Sequence, residues 1–230
     1  MPEHASAPEP DLGSVTREVR AQWRTRQLLT AAARLMERDG FHAVSMQALA
    51  DEAGVSVGLA YRYFGGKEDV LLAVIVDVLD AFAARVPAAI DAAGDDPVEQ
   101  LAAAFRAYCE VIDAHRHAAV LTYRESKTLG PAGRERIKQL EVATSEPLRR
   151  VIADGCAAGR LAVADPDLFA YDLLLLAHGW ALKHWYFERT LGFDDYVRGQ
   201  TALALSAAVA PRYRRRYQRL LSPAREGAGT

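Results

Sequence analysis

The segment covering residues 45–66 constrains the fold most strongly, because it contains two short helices with almost no chain between them. Ser45 is placed to cap the first helix, and Gly54 follows that helix where a left-handed backbone conformation is needed. Ser56 is placed to cap the second helix, which Gly65-Gly66 interrupts after barely two turns. The predicted helices span residues 46–53 and 57–63.

Two helices of this length joined by Gly54-Val55 have the dimensions of a DNA-binding helix-turn-helix, whose second helix enters a major groove about 12 Å wide. Gly58 and Ala60 keep the surface of that second helix narrow. Hydroxyl and cationic side chains nearby are placed for phosphate contacts. They are Tyr61, Arg62, Tyr63 and Lys67.

The rest of the chain also has the periodicity of α-helices. The first helix is expected from Thr16 to Asp39, and the fourth from Lys67 to about Val86, where Pro87 should stop it. Further helices are expected at about 97–115, 118–129, 132–158, 166–189 and 194–209. Because no alternating run bounded by hairpin turn residues occurs, the sequence predicts an all-α fold.

Charge is distributed unevenly, although the net charge of the 230 residues is only −2. Residues 1–15 carry a charge of −3, residues 16–67 a charge of +3, residues 68–211 a charge of −7 and residues 212–230 a charge of +5. A local basic surface can bind phosphate even when the whole chain is slightly acidic. The charge pattern is therefore compatible with a nucleic-acid partner.

Several other classes of protein are disfavoured by the sequence. Cys109 and Cys156 lie in no metal-binding or redox motif, and no signal peptide precedes the fold, so we expect a cytoplasmic protein without a disulfide. The most apolar stretch, residues 173–187, is interrupted by charged and histidine side chains and is shorter than the roughly 20 residues of a membrane span. We therefore expect no membrane segment.

Two runs of residues resemble the signature of TetR-family transcriptional regulators. They are Ala48 to Gly58, with the sequence ALADEAGVSVG, and Tyr61 to Lys67, with the sequence YRYFGGK. The similarity covers roughly residues 24–72. It implies an N-terminal three-helix DNA-binding domain, followed from about residue 72 by a larger helical domain for ligand binding and dimerisation.

The resemblance implies a role for each matching residue of the DNA-binding surface. Ser45, Tyr61 and Lys67 would contact phosphates, and Tyr63 a phosphate or the DNA backbone. Val57, Gly58 and Leu59 would face the bases. In the sequence they follow the capping residue Ser56 and precede the cation Arg62. Arg17, Arg20, Arg24 and Arg26 would reach phosphates or a minor groove from the first helix, although a solvated basic face fits them equally well.

Apolar and polar side chains mixed along the second domain are candidates for a ligand pocket. They are Phe82, Tyr108, Ile112, Tyr123, Arg124, His178, Trp180 and His184, and core packing is the alternative for each. Residues 123–127 and 180–186 are similar to effector domains of regulators of fatty-acid and steroid catabolism, which respond to acyl-CoA thioesters. The implied effector is a small hydrophobic molecule.

A homodimer on a pseudo-palindromic double-stranded DNA operator is also expected, because one recognition helix covers only a few base pairs. Residues 168–180 and 202–209 would supply the dimer contact. The expected layout is a disordered tail over 1–15, a DNA-binding domain over 16–66, an effector and dimerisation domain over 67–211, and a basic tail over 212–230.

Other motifs in the sequence could point to an enzyme, a phosphate-binding loop or a metal site. Gly54 to Gly58 also fits G-x-S-x-G, the nucleophile elbow of serine hydrolases, with Asp172 and His178 in the matching chain order, but a strand should then precede Ser56. A phosphate-binding loop ending at Lys67 fails at two positions, and no histidine spacing suits zinc. We expect no enzyme activity, cofactor or metal ion. The basic segment 212–219 could contact nucleic acid or an acidic surface, or be a solvated helix end.

Overall fold

A computed structural model describes residues 12–222 of the chain, and the side chains of residues 23–222. Within that range the regular elements are helices, with one isolated β-bridge between Leu161 and Val209. The predicted all-α fold is confirmed. By internal contacts the chain divides into a unit that ends at Leu71 and a second unit that begins at Leu72.

The first unit is a small helical domain built on α1. Its elements are α1 (Leu12–Asp39), α2 (Met46–Glu52), α3 (Val57–Tyr63) and the start of α4 (Lys67–Ala92). Helix α2 packs against both α1 and α3. Leu28 and Met36 of α1 and Leu49 of α2 are fully buried, so α1 supplies a core for helices α2 and α3, which are too short to be stable alone.

The second unit is built around a central helix. Its elements are the remainder of α4, α5 (Pro97–Ala114), α6 (Arg116–Glu125), a 3-10 turn (Ser126–Thr128), α7 (Pro131–Ala157), α8 (Pro166–Leu182), α9 (His184–Phe187), α10 (Phe193–Ala208), a second 3-10 turn (Pro211–Tyr213) and α11 (Gln218–Leu221). Helix α5 packs against α7, α8 and α10. Its buried side chains Phe105, Tyr108 and Ile112 recur at helical spacing and form the centre of the core.

The prediction that Pro87 stops the fourth helix is wrong, since α4 continues to Ala92 with Pro87 inside it. A proline removes one backbone donor and leaves the carbonyl of the residue four positions earlier without its helical partner. That residue is Ala83, which is exposed, so water can bind its carbonyl. The free-energy cost of the missing backbone hydrogen bond is therefore small enough for the helix to continue.

The prediction of one helix over 166–189 is also wrong. Helix α8 ends at Leu182, Lys183 leaves the helical conformation with ψ of 25°, and the short α9 follows. Neither glycine nor proline marks this break, so local sequence gave no signal of it. The helix expected over 118–129 likewise begins at Arg116 and ends at Glu125, before the 3-10 turn.

The two ends of the chain extend beyond the described range. Helix α1 begins at Leu12, four residues before the predicted start at Thr16. The remainder of the predicted N-terminal tail, residues 1–11, and residues 223–230 of the predicted basic tail lie outside the described residues. The helices of the described range include none long and apolar enough to cross a membrane.

The basic segment after α10 binds an acidic cluster at the start of α5. Asp96 caps α5 through the backbone N–H of Val98 at 3.0 Å and pairs with Arg160 at 2.6 Å and Arg216 at 3.0 Å. The buried Tyr217 donates its hydroxyl to the same carboxylate. The acidic residues that this segment contacts therefore belong to its own chain, while its arginines stay exposed to solvent.

The charge of Asp96 is stabilised by these contacts. Partial burial acts to raise its pKa, but hydrogen bonds from Val98, Tyr217 and Arg160 outweigh burial, and the pKa lies below the ordinary value of 3.8. A depressed pKa in the folded state adds stability at pH values above the unfolded-state pKa. That contribution is lost as the pH falls through the folded-state pKa.

We predict that Asp96→Asn lowers the free energy of unfolding at pH 7 by about 1–2 kcal/mol, because asparagine keeps the helix cap but loses the ion pairs. Denaturant unfolding followed from pH 7 to pH 2 should show the difference from the wild type shrinking below about pH 4. The neighbouring exposed Asp95 gives a matched control, since Asp95→Asn should have little effect. A pH-independent difference for Asp96→Asn would contradict the assigned role of the charge.

Candidate nucleic-acid interface and ligand cavity

The turn between α2 and α3 is fixed by two serine caps and one glycine. The Ser45 hydroxyl accepts from the N–H of Ala48 at 3.1 Å, and the Ser56 hydroxyl accepts from the N–H of Leu59 at 3.2 Å. Gly54 has φ of +65°, and the N–H of the next residue, Val55, donates to the carbonyl of Ala50 at 2.9 Å. This is the geometry of a helix end closed by a left-handed residue.

Helix α3 buries one side and presents the other to solvent. Ala60 is fully buried, whereas Gly58, Tyr61 and Arg62 are exposed. Val57, Leu59 and Tyr63 are half-buried. A Cβ added at Gly58 would contact no heavy atom within 4 Å, so the surface of α3 is open at that point. The residues predicted to face bases lie near the start of this exposed surface.

Lys67 links the start of α4 to the turn that follows α1. Its ammonium group donates to the carbonyl of His42 at 3.2 Å and lies 4.6 Å from the centre of the Phe41 ring. An ammonium group has three donors, so two remain for a phosphate. Lys67 thus combines a structural contact with its predicted DNA contact.

The arginines of α1 are placed differently from one another. Arg24 and Arg26 are both exposed, and Arg26 lines a shallow groove with Trp23 and Glu52. Residues two apart on a helix point about 160° apart, so Arg24 and Arg26 cannot serve the same surface. The side chains of Arg17 and Arg20 lie outside the described residues.

The second unit contains a cavity of about 340 Å³ between α4, α5, α6, α7 and α8. Five of the predicted ligand residues line it, namely Phe82, Tyr108, Ile112, Tyr123 and His178. The Phe82 and Tyr108 rings are 4.7 Å apart between their centres and form part of its apolar wall. The cavity has the mainly apolar lining with a few polar groups that is typical of small-molecule sites.

Tyr123 and His178 form the polar pair of the cavity. The Tyr123 hydroxyl lies 2.9 Å from Nδ1 of His178, and burial lowers the pKa of His178 to about 4. The imidazole is therefore neutral at physiological pH. Deeper in the cavity, the Tyr108 hydroxyl donates to the carbonyl of Thr144, and burial raises its pKa.

Arg124, Trp180 and His184 do not belong to the described cavity lining. Trp180 is buried beside Phe187 and Tyr196, and its indole N–H donates to Asp113 at 2.7 Å. His184 contacts Arg116 and lies 3.4 Å from Glu188. Trp180 and His178 are two residues apart on α8, so they point to opposite sides of the helix. The assignment of these three residues to a ligand site gains no support from this geometry.

Sequence reasoning missed the contribution of α7 to the cavity. Glu141 and Thr144 line it, together with Thr122, Ser126, Tyr171 and Leu175 from other elements. The buried residues Ile137 and Leu148 lie on the same face of α7, four residues before Glu141 and four residues after Thr144. Polar residues at apolar positions of one helical face are a signal that could have identified them.

The structure does not support a nucleophile elbow at Ser56. Such an elbow requires a strand before the serine, but the element before Ser56 is α2. The Ser56 hydroxyl caps α3, and Nδ1 of His178 is taken by Tyr123. The described residues also contain no group of three or more side chains able to hold a metal ion.

Comparison with known proteins identifies similar sequences over both units. The family described as "Bacterial regulatory proteins, tetR family" matches residues 28–74, and "Tetracyclin repressor-like, C-terminal domain" matches residues 94–189. The HTH-type transcriptional regulator HbdR of Aromatoleum sp. (strain CIB) is 37% identical over 174 residues, which are 76% of each chain.

Solved structures share the fold. The ketosteroid transcriptional regulator KstR2 of Mycobacterium tuberculosis is similar with a TM-score of 0.69 and 23% identity, over 81% of this chain and 95% of that one. AibR, in complex with isovaleryl coenzyme A and operator DNA, is similar with a TM-score of 0.66 and 22% identity, over 77% of this chain and 95% of that one. The helix-turn-helix and the helical second unit therefore occur together in these structures.

We predict that Ser56→Ala lowers the free energy of unfolding by about 1 kcal/mol, because α3 loses its cap. Ser56→Asn should retain most of the stability, since asparagine also caps helices. Both can be compared with the wild type by denaturant unfolding, while hydrolysis of a nitrophenyl ester is followed in parallel. If ester hydrolysis depends on Ser56, capping of α3 is not the only role of this residue.

Proposed function

This chain belongs to the TetR family of bacterial transcriptional regulators, and from that premise we propose that it is a repressor released from operator DNA by a small hydrophobic effector. The observation that carries the proposal is the pairing, in one chain, of an exposed recognition helix with a mainly apolar cavity. A regulator of this kind acts in the cytoplasm as a binding protein and needs neither catalysis nor a cofactor.

The exposed surface of α3 is proposed to enter the major groove. Val57, Gly58 and Leu59 would contact base edges. The side chains around them would bind phosphates or cap helices. They are Ser45, Ser56, Tyr61, Arg62, Tyr63 and Lys67. Ser45 can act twice, because its oxygen accepts the cap hydrogen bond while its O–H remains able to donate to a phosphate. Arg24 or Arg26 would extend the contact along the backbone.

A homodimer is proposed because α8 and α10 present apolar side chains to solvent. Leu168 is 60% exposed, and Tyr171 and Leu175, which also line the cavity, follow it at helical spacing along the same stripe of α8. Leu203 on α10 is 63% exposed. Such a patch on a monomer marks an interaction surface, and two-fold pairing would match a pseudo-palindromic operator.

We expect substitutions on the DNA surface to separate affinity from sequence preference. Tyr61→Phe and Lys67→Ala should weaken binding to all sequences, with Lys67→Ala reducing the slope of log affinity against log salt by about 1. Leu59→Ala should change which sequence is preferred. Anisotropy titrations on DNA selected from a random pool measure both effects, and Lys138→Ala in the second unit is a control of equal charge change. An unchanged salt slope for Lys67→Ala would contradict its phosphate contact.

The effector is proposed to be an acyl-CoA or a related hydrophobic molecule. Residues of the wall such as Ile75, Val78 and Leu79 are apolar, and the structurally similar AibR was solved with isovaleryl coenzyme A. The described cavity lining contains no lysine or arginine, so the phosphates of a CoA would have to lie outside it. Only the acyl end would enter the cavity.

Helix α4 is the proposed link between effector and DNA. It begins with Lys67 in the first unit and continues to Ile75, Val78 and Phe82 in the cavity wall. A ligand shifts such a protein between two states only by its different affinity for them. A small displacement of one continuous helix by the ligand would change the spacing of the two recognition helices in a dimer.

We predict that an effective acyl-CoA lowers operator affinity by a factor of about 5 to 150. Thr122→Trp should fill part of the cavity and abolish this release while leaving DNA binding intact. Thr190→Trp, on an exposed residue outside the lining, is the matched control and should respond normally. Anisotropy titrations with isovaleryl-, octanoyl- and benzoyl-CoA provide the measurement. If the same acyl-CoA lowers the operator affinity of the Thr122→Trp variant as much as that of the wild type, the effector binds outside this cavity.

A further inference from the structure

The turn between α1 and α2 places a histidine beside a predicted phosphate contact. His42 lies in this turn, and its carbonyl accepts the hydrogen bond that the Lys67 ammonium group donates at 3.2 Å. A second predicted phosphate contact, the α2 cap Ser45, follows His42 by three residues. The roles that the family signature implies for this surface do not include His42.

The buried Phe41 ring holds the imidazole and the ammonium group close together. The centres of the His42 and Phe41 rings are 5.3 Å apart, and their planes are inclined by 80°. The Lys67 ammonium group lies 4.6 Å from the centre of the same Phe41 ring. Phe41 is only 4% exposed, so the core of the first unit fixes the ring that both groups contact.

The imidazole of His42 is exposed and able to bind a further group. Within residues 23–222, neither of its ring nitrogens has a hydrogen-bond partner. In contrast, a ring nitrogen contacts another protein group in each of His115, His178 and His184. A protonated imidazole offers two N–H donors and a positive charge, and histidine ordinarily gains that charge between about pH 8 and pH 5.

The charged groups of the neighbouring elements leave His42 without an acidic partner. They are Glu37, Arg38 and Asp39 at the end of α1, Arg62 on α3, and Glu68 and Asp69 after Lys67 on α4. Arg38 pairs with Asp39 at 2.8 Å, and within the described range no carboxylate forms an ion pair with His42. Lys67 would repel a protonated His42, so an anion that lies between the two must come from outside this part of the chain.

We propose that His42 is a phosphate contact of the DNA surface, beside Lys67, and that operator affinity rises as His42 becomes protonated. The inference rests on the proposed function, in which this surface binds operator DNA. A DNA phosphate between the imidazolium and the ammonium group would offset their repulsion and accept hydrogen bonds from both. By linkage, DNA binding and protonation of His42 then favour each other.

The expected size of the effect is that of one exposed ion pair in each protomer. Such a pair is typically worth a factor of about 1.5 to 5 in an equilibrium constant, and one more neutralised phosphate steepens the salt dependence by about 0.9. We therefore expect operator affinity to rise by about 1.5- to 5-fold per protomer between pH 8 and pH 6. The slope of log affinity against log salt should steepen by up to about 1 per protomer.

Anisotropy titrations of the full chain on DNA selected from a random pool, at pH 6 and pH 8 and several salt concentrations, test the proposal. His42→Gln keeps a polar side chain and the backbone carbonyl that binds Lys67, but it cannot become charged. It should lose the gain at pH 6 and bind within about twofold of the wild type at pH 8. His42→Arg carries its charge at both pH values and should show the steeper salt slope at both.

His117→Gln is the matched control, because it removes an exposed histidine from the second unit. It should retain the pH dependence of the wild type. Denaturant unfolding at pH 6 and pH 8 shows whether each variant is folded. If His42 only packs against Phe41, His42→Gln should lower the affinity equally at both pH values and His42→Arg should not restore the slope, a result that would overturn the proposal.

The outcomes also separate this inference from the proposed function. A gain at pH 6 that persists in His42→Gln, or that the wild type lacks, would overturn the role of His42. The proposed DNA surface would stand in that case if Lys67→Ala still reduced the salt slope. Failure of the wild type to select any DNA sequence at either pH would overturn DNA binding by this surface, and this inference with it.

Discussion

The contact of the Lys67 ammonium group with the Phe41 ring and the His42 carbonyl holds the start of α4 against the turn that follows α1. Helices α2 and α3 lie in the chain between these two points, so their position depends on this closure and on the shared buried core. The same helix then continues into the wall of the cavity through Ile75, Val78 and Phe82. The proposed DNA contact and the proposed ligand contact would thus be made by residues of one continuous helix, which is what a ligand-operated switch requires.

Local chemistry explains which parts of the fold the sequence predicted well. The start and end of α3 depend on Ser56 and on the glycines after Tyr63, so its predicted limits of 57 and 63 are confirmed. The end of α4 could not be predicted from Pro87, because the effect of this proline depends on whether the Ala83 carbonyl can bind water, which only the tertiary structure determines. On either side of the break at Lys183, Trp180 contacts Asp113 and His184 contacts Arg116, and no local signal records these contacts with other helices.

The candidate sites show the same difference between local and tertiary information. The residues of the proposed DNA surface could be named one by one because they lie in one contiguous segment with a fixed spacing of motifs, and their DNA contacts remain predictions. The cavity is assembled from five helices, so apolar bulk alone could suggest Phe82, Tyr108 and Ile112 but could not separate them from Trp180. Helical phase could have made that separation, since His178 and Trp180 face opposite sides of α8. Glu141 was missed because a charged residue on an amphipathic helix usually faces solvent, and Glu141 is itself exposed while it lines the cavity.

The central claim is that occupancy of the cavity and binding of the operator are coupled in one chain. Linkage requires this coupling to be reciprocal, so the operator must change the affinity for the effector by the same factor by which the effector changes the affinity for the operator. Calorimetric titration of the effector into the free protein and into its saturated operator complex measures that factor directly. We predict that the effector binds about 5- to 150-fold more weakly to the DNA complex than to the free protein, a factor equal to its effect on operator affinity. Equal effector affinity with and without operator DNA would contradict it.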